Sequence, residues 1–182
     1  MSDLLIPTPS FIFISFLFRS EISNEIIFEI FNKRYGEFII FEHPFFPMKD
    51  FYSKEMGDVD CLKRLILVSK NMFDRKILTD EKVWTKKIEN QFSHLKMRRI
   101  NLDVGIITLE NVILATGKNF VHRIYLRDGV FADLNLIFES NSYKALPWTY
   151  PDYSHPDFIL FFNWVRSLLQ YKILLDKKDA VC

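Results

Sequence analysis

The stretch that decides the fold runs Phe120-Val-His-Arg-Ile-Tyr-Leu-Arg-Asp-Gly-Val-Phe-Ala-Asp-Leu-Asn-Leu-Ile-Phe138. Two alternating runs, 120–126 and 130–138, flank Arg127-Asp128-Gly129, and alternation around Asp-Gly is the signature of an antiparallel hairpin. Two loops fit. A two-residue Asp-Gly turn pairs Arg127 with Val130 and sets His122 opposite Asn135. A three-residue loop with Gly129 left-handed pairs Leu126 with Val130. A slip of one residue moves every side chain to the other face. Val130, Ala132, Leu134 and Leu136 make one apolar face, and Ile124 and Leu126 make the other strand's. Only the longer loop puts both on one side. It predicts Arg123 opposite Asp133, Tyr125 opposite Phe131, and His122 turned to the core beside Leu134.

Outward from the hairpin, further short strands are predicted at 99–103 and 111–116. A helix follows the hairpin strands: Ser154 and Asp157 have capping-box spacing, Pro156 suits a first turn, and Phe158, Phe161, Phe162, Val165, Leu168 and Leu169 form a broad apolar face. Upstream, residues 10–18 read as a buried strand. Ser20 or Ser23 caps a helix carrying Ile26, Ile27, Ile30 and Phe31, stopped by Gly36. Residues 37–42 and 61–69 read as strands, and 51–57 as an ordered connection. Thr79 caps a helix with Asp80 and Glu81 in its first turn and a stripe of Trp84, Ile88, Phe92 and Leu95. The sum is a single α+β domain over 1–175, with a largely antiparallel or mixed sheet packed by about three helices. Its first half has the order of a ferredoxin-like unit (βαββα), and a frayed charged tail occupies 176–182.

With 182 residues, 49% hydrophobic and 26% charged, the chain has ample apolar surface for one core. A formal net charge of +1 gives no reason to invoke nucleic acid or an acidic membrane. Cys61 and Cys182 have no partner close in sequence, so neither a zinc knuckle nor a disulfide framework is implied. A reducing, cytoplasmic compartment is the simpler expectation. Phe11-Ile-Phe-Ile-Ser-Phe-Leu-Phe18 is too short to span a membrane, which takes about 20 apolar residues, and lacks a basic lead.

Four stretches, Asn101-Leu-Asp-Val-Gly105, Ala115-Thr-Gly-Lys118, His122-Arg-Ile-Tyr-Leu126 and Leu146-Pro-Trp-Thr-Tyr-Pro-Asp-Tyr153, resemble the bacterial family catalogued as domain of unknown function 4416. Tyr52 and Glu55-Met-Gly57 match it too. Against the family pattern, Val104 replaces the Pro of an Asp-Pro-Gly turn, and Asp133 and Asn135 stand where Glu and Thr are usual. The resemblance implies a common fold and supplies no reaction.

Two functions from different classes fit. In the first, the protein binds, or acts on, a nucleotide or other phosphorylated small molecule. Lys118, Arg123 and Tyr125 would hold the anion, the Arg123–Asp133 pair would line the site with Asn135, Asp103 and Asp133 would act as acid–base groups or hold a divalent cation, and Trp148 and Tyr150 would stack on the ligand. This requires the hairpin's polar face, a turn at 101–105 and the 147–153 loop to converge. In the second, exposed aromatics bind protein or RNA without catalysis, and Trp148, Tyr150 and Tyr153 serve that or plug the core. Bland readings stand beside these: Arg123–Asp133 as a cross-strand ion pair, Lys118 as a solvated loop lysine, and Lys96-Met-Arg98-Arg99 as the basic end of a helix. Asp152, His155 and Asp157 resemble a metal cluster, but helix capping accounts for them, and His43, His94 and His122 lack ligand spacing, so no metal site is expected. Cofactors and oligomeric state are not legible.

Overall fold

The computed structural model describes residues 3–93 and 97–179. His94, Leu95, Lys96 and Cys182, which entered the sequence reading, lie outside them. Eight strands form one antiparallel sheet: β1 (Ser10–Arg19), β2 (Phe38–Phe41), β3 (Leu62–Phe73), β4 (Ile100–Ile107), β5 (Asn111–Thr116), β6 (Arg123–Arg127), β7 (Val130–Glu139) and β8 (Ser142–Ala145). Their order is β2-β3-β1-β4-β5-β7-β6, and β8 pairs with the far end of β7. Four helices accompany it: α1 (Asn24–Tyr35), α2 (Lys49–Met56), α3 (Leu78–Gln91) and α4 (Pro156–Asp179).

The apolar run at residues 11–18 becomes the central strand β1, buried on both faces. A strand of this kind needs cover above and below. On one side Ile12, Ile14, Phe16 and Phe18 pack with Ile27 and Phe31 of α1 and with Leu78, Trp84 and Ile88 of α3. On the other, Phe11 and Phe13 pack with Phe158, Phe162, Val165 and Leu169 of α4. The segment β1-α1-β2-β3-α3-β4, with sheet order β2-β3-β1-β4 and its two long helices on one face, is the ferredoxin-like arrangement expected of the first half. The remaining strands extend that sheet from the edge of β4.

Several local expectations are corrected. Residues 49–56 form the helix α2, although its first residue has no side-chain cap. Thr79 does not cap α3: a 3-10 turn at Arg75–Ile77, capped by Asp74, runs straight into Leu78, and Thr79 is buried in the first turn. Ser154 does not cap α4: the helix starts at Pro156, and the Asp157 N–H donates to His155 Nδ1 at 3.3 Å, while the Ser154 hydroxyl donates to the Pro151 carbonyl. α4 runs from Pro156 to Asp179 and so takes in residues 176–179 of the charged tail. Residues 101–105 are not a turn but the middle of β4. Gly105 is required there by crowding: a Cβ on it would stand 2.5 Å from the Phe13 ring and 2.6 Å from the Ile113 carbonyl oxygen.

In the hairpin, Arg123 pairs with Asp133 and Tyr125 with Phe131, as the alternation predicts. The loop differs. Arg127 pairs with Val130 across a two-residue Asp128-Gly129 turn with both residues at positive φ, and a bulge at Leu126 restores the register. Ile124 and Leu126 are exposed rather than core-facing, since β6 is the edge strand and meets α3 only at its end, where Arg127 pairs with Asp80. A second irregularity in β7, at Asn135, lets Leu136 and Phe138 join the α4 side while Val130 packs on the α3 side.

Candidate functional site

The chemistry begins where the sheet parts. β4 pairs with β5 only from Gly105 to Ile107, opposite Leu114 to Val112. Below Gly105, β4 stays with β1 while Ala115 and Thr116 stay with β7. The edge of β4 so exposed still needs hydrogen-bond partners. α3 supplies them: the Leu102 N–H donates to Glu89 Oε1 at 2.8 Å, and Lys82 Nζ donates to the Leu102 carbonyl at 3.3 Å. Two long side chains thus hold the gap open instead of a strand closing it.

The gap widens into a cleft of about 770 Å³ that reaches from the α2 side of the sheet through to α3. Asn101 and Asp103 form one lip, and Thr116, Gly117 and Lys118 the other. Lys82, Lys86 and Lys87 of α3 line the far end, and Phe51, Tyr52 and Tyr150 the near end. A polar relay follows the first lip. Arg98 lies 3.4 Å from Glu55 and donates to Asn101 Oδ1, Asn101 Nδ2 donates to Asp103 Oδ2 at 2.8 Å, and Lys82 stands 4.0 Å from Asp103. Lys118 Nζ lies 5.7 Å from the centre of the Phe51 ring. Among the described residues, neither Lys87 nor Lys118 pairs with a carboxylate.

Behind these walls sit buried charges. Arg64 pairs with Asp152, donates from Nε to Ser15 Oγ at 3.0 Å, and lies 5.3–5.7 Å from the rings of Phe46, Tyr153 and Phe158. Burial raises the phenol pKa of Tyr52 and Tyr153 well above the usual value, with the negative charge of Asp103 adding to it at Tyr52. Burial raises that of Tyr150 too, against the opposing pull of Arg123. All three are neutral phenols at physiological pH, able to donate a hydrogen bond.

Of the residues singled out in the sequence, Asp103, Lys118, Asp133 and Tyr150 line the cleft. Arg123 stands behind them and ties three together: Nε to Asp133 at 2.8 Å, Nη1 to the Lys118 carbonyl at 3.0 Å and Nη2 to the Tyr150 hydroxyl at 3.2 Å. Asn135 is buried in the β7 irregularity, where Nδ2 donates to the Asp133 carbonyl. Trp148 does not face the cleft; its Nε1 donates to the Leu134 carbonyl and its ring stacks on His122 at 4.8 Å. Tyr125 lies outside, against Phe131. His122 is not in the core beside Leu134. β6 begins only at Arg123, so the alternation does not extend to residue 122, and the imidazole Nε2 lies 3.4 Å from Asp133 Oδ1.

Sequence reasoning missed Arg64, Ser15, Lys82 and Asn101. An arginine at the head of β3's apolar run Leu65–Val68, next to Lys63, and a lone serine within the apolar run of β1 were signals available to it, because charges are rarely buried unpaired. The other cluster is resolved differently from the expectation. Asp152 pairs with Arg64, while Asp157 lies 2.9 Å from His43 Nε2 and 3.8 Å from His155 Nδ1. Those three residues have the composition of a metal site. However, the Phe45 N–H donates to His43 Nδ1, which leaves the proton of a neutral ring on Nε2, facing Asp157. That is an imidazole–carboxylate hydrogen bond. Of the basic stretch after α3, Arg98 and Arg99 are paired with Glu55 and Glu21.

The model of the family described as domain of unknown function (DUF4416) matches residues 8–169. No curated protein and no solved structure matches the chain.

Proposed function

We propose that this chain, which belongs to the DUF4416 family, binds a small phosphorylated ligand with a planar ring, such as a nucleotide, in the cleft between β4 and β5. One observation carries the reading: a single cleft of about 770 Å³ has aromatic rings at one end and lysines at the other. That volume is in the range of small-molecule sites. Phe51, Tyr52 and Tyr150 would flank the ring. Lys87 would meet a phosphate at the α3 end as a point charge, assisted by Lys82 and Lys86, and Lys118, on the lip beside Phe51, would meet one at the aromatic end; neither has a carboxylate partner among the described residues.

The two carboxylates differ in what they are free to do. Asp133 is committed to Arg123 and His122, so its part is to hold the lip in place. Asp103 is more open, oriented by Asn101 and near Lys82, and any acid–base step or divalent cation would fall to it. A cytoplasmic site of action, where phosphorylated metabolites are found, belongs to the same proposal.

The test is a thermal-shift screen with nucleotides and sugar phosphates, with and without Mg²⁺. A ligand at 100 times its Kd adds about 2.7 kcal/mol, or roughly 5–10 °C for a domain of this size. Lys118→Glu is expected to abolish the shift without moving the melting point of the free protein, because Lys118 is exposed. A silent screen, or a shift that survives Lys118→Glu, refutes the proposal.

A further inference from the structure

The outer side of α4 also carries large apolar side chains. The inner side buries Phe158, Phe162, Val165 and Leu169 against the sheet. The outer side presents Leu160, Trp164, Tyr171, Leu174 and Leu175, with Leu160 69% and Tyr171 61% exposed. Leu160, Trp164, Ser167, Tyr171 and Leu174 recur at alternating intervals of four and three, the spacing by which one helix packs along another. By length and composition α4 could also cross a membrane, yet a third of it is committed to the protein interior.

We infer that this stripe is a self-association surface on which α4 of a second copy packs antiparallel. Three observations select that occupant. The first is area. The five side chains together expose on the order of 500 Å². Two copies would therefore hide about 1,000 Å², the lower bound for a specific interface, which fits a micromolar dimer.

The second is charge. From Phe158 to Leu175 the only charged residues are Arg166 and Lys172, and both are turned back to their own sheet. Arg166 Nε donates to the Leu109 carbonyl at 2.8 Å with its guanidinium 3.4 Å from the centre of the Phe138 ring, and Lys172 Nζ donates to the Lys70 carbonyl at 2.6 Å. Two such helices meet without opposing like charges. A helix lying on a lipid surface instead keeps a cationic face toward water, and here the face opposite the stripe is packed on the sheet.

The third is self-complementarity. Pairing centred near Ser167 sets Trp164 against Tyr171 of the second copy and Leu160 against its Leu174 and Leu175. The small serine lets the backbones approach at the two-fold axis.

Sedimentation velocity of the full chain over the micromolar range is expected to show a reversible monomer–dimer equilibrium. Trp164→Glu and Tyr171→Glu are each expected to weaken it by roughly 30-fold or more, as truncation of a central aromatic anchor does. Both positions are exposed in the monomer, so far-UV circular dichroism and the melting point of the monomer should not change. A chain that stays monomeric throughout overturns the inference, as does a dimer indifferent to both substitutions. Flotation of the monomer with anionic vesicles, lost in Trp164→Glu, would overturn it in favour of a lipid surface.

Discussion

Replacing Asp133 by Asn tests whether the hairpin's ion pair is a surface ornament or a structural member of the cleft. A cross-strand charge pair in water contributes about 0.2–1 kcal/mol. Here the side chains are 3% exposed at Asp133 and 11% at Arg123. Breaking a buried pair by neutralising one partner costs about 3–5 kcal/mol, because the other charge is left uncompensated. Arg123 would keep the Lys118 carbonyl and the Tyr150 hydroxyl, so the lower end, about 3 kcal/mol, is expected. At about 2–4 °C per kcal/mol for this chain length, the melting point should fall by roughly 6–12 °C. Urea unfolding with an unchanged m-value measures the loss directly. The double variant Arg123→Met, Asp133→Leu removes both charges and should lose less than Asp133→Asn alone. A loss below about 1 kcal/mol for Asp133→Asn, or a double variant equal to the sum of its singles, would refute the argument from burial.

Two further predictions concern stability. Glu89→Ala removes the acceptor of the Leu102 N–H at the open edge of β4. It should cost about 1–3 kcal/mol and speed hydrogen exchange at Leu102, while Glu89→Gln keeps an acceptor and should cost less; equal losses would show that only the charge matters. Burial raises the phenol pKa of Tyr35, Tyr52, Tyr143, Tyr150 and Tyr153 above the unfolded value of about 10. Their contribution is therefore full below pH 10 and lost as pH rises, by about 1.4 kcal/mol per pH unit for each tyrosine that ionises only on unfolding. Phenolate absorbance from these five should appear together with loss of near-ultraviolet dichroism, and their reversible ionisation near pH 10 in the folded protein would contradict this.

Much of the fold was legible because burial leaves a pattern. An unbroken apolar run announced β1, Ser23 and Gly36 bracketed α1, and alternation set Arg123 against Asp133. Where the reading failed, geometry beyond the repeat had intervened. The bulge at Leu126 let a two-residue turn coexist with the register assigned to a longer loop, and His122 escaped the alternation by preceding the strand. α2 was missed because it follows a proline-rich loop and starts without a side-chain cap. The cleft was legible only in part. Asp103, Lys118, Asp133 and Tyr150 all fall within residues 101–153, the stretch richest in candidates, but Lys82 and Arg64 arrive from α3 and β3. No local pattern reports that β4 and β5 share only three paired positions.

That short join has a mechanical consequence. Above Gly105 the two leaves of the sheet share a spine of three rungs, and below it no strand pairing joins them. α4 clasps both leaves from outside, through Asn163 to β8, Arg166 to the β4–β5 connection and Lys172 to β3. Twisting one leaf against the other changes the width between Asp103 and Lys118 without breaking any rung. A molecule seated there would act as a wedge of fixed thickness, setting the angle of the leaves and, through the clasp, the pose of α4.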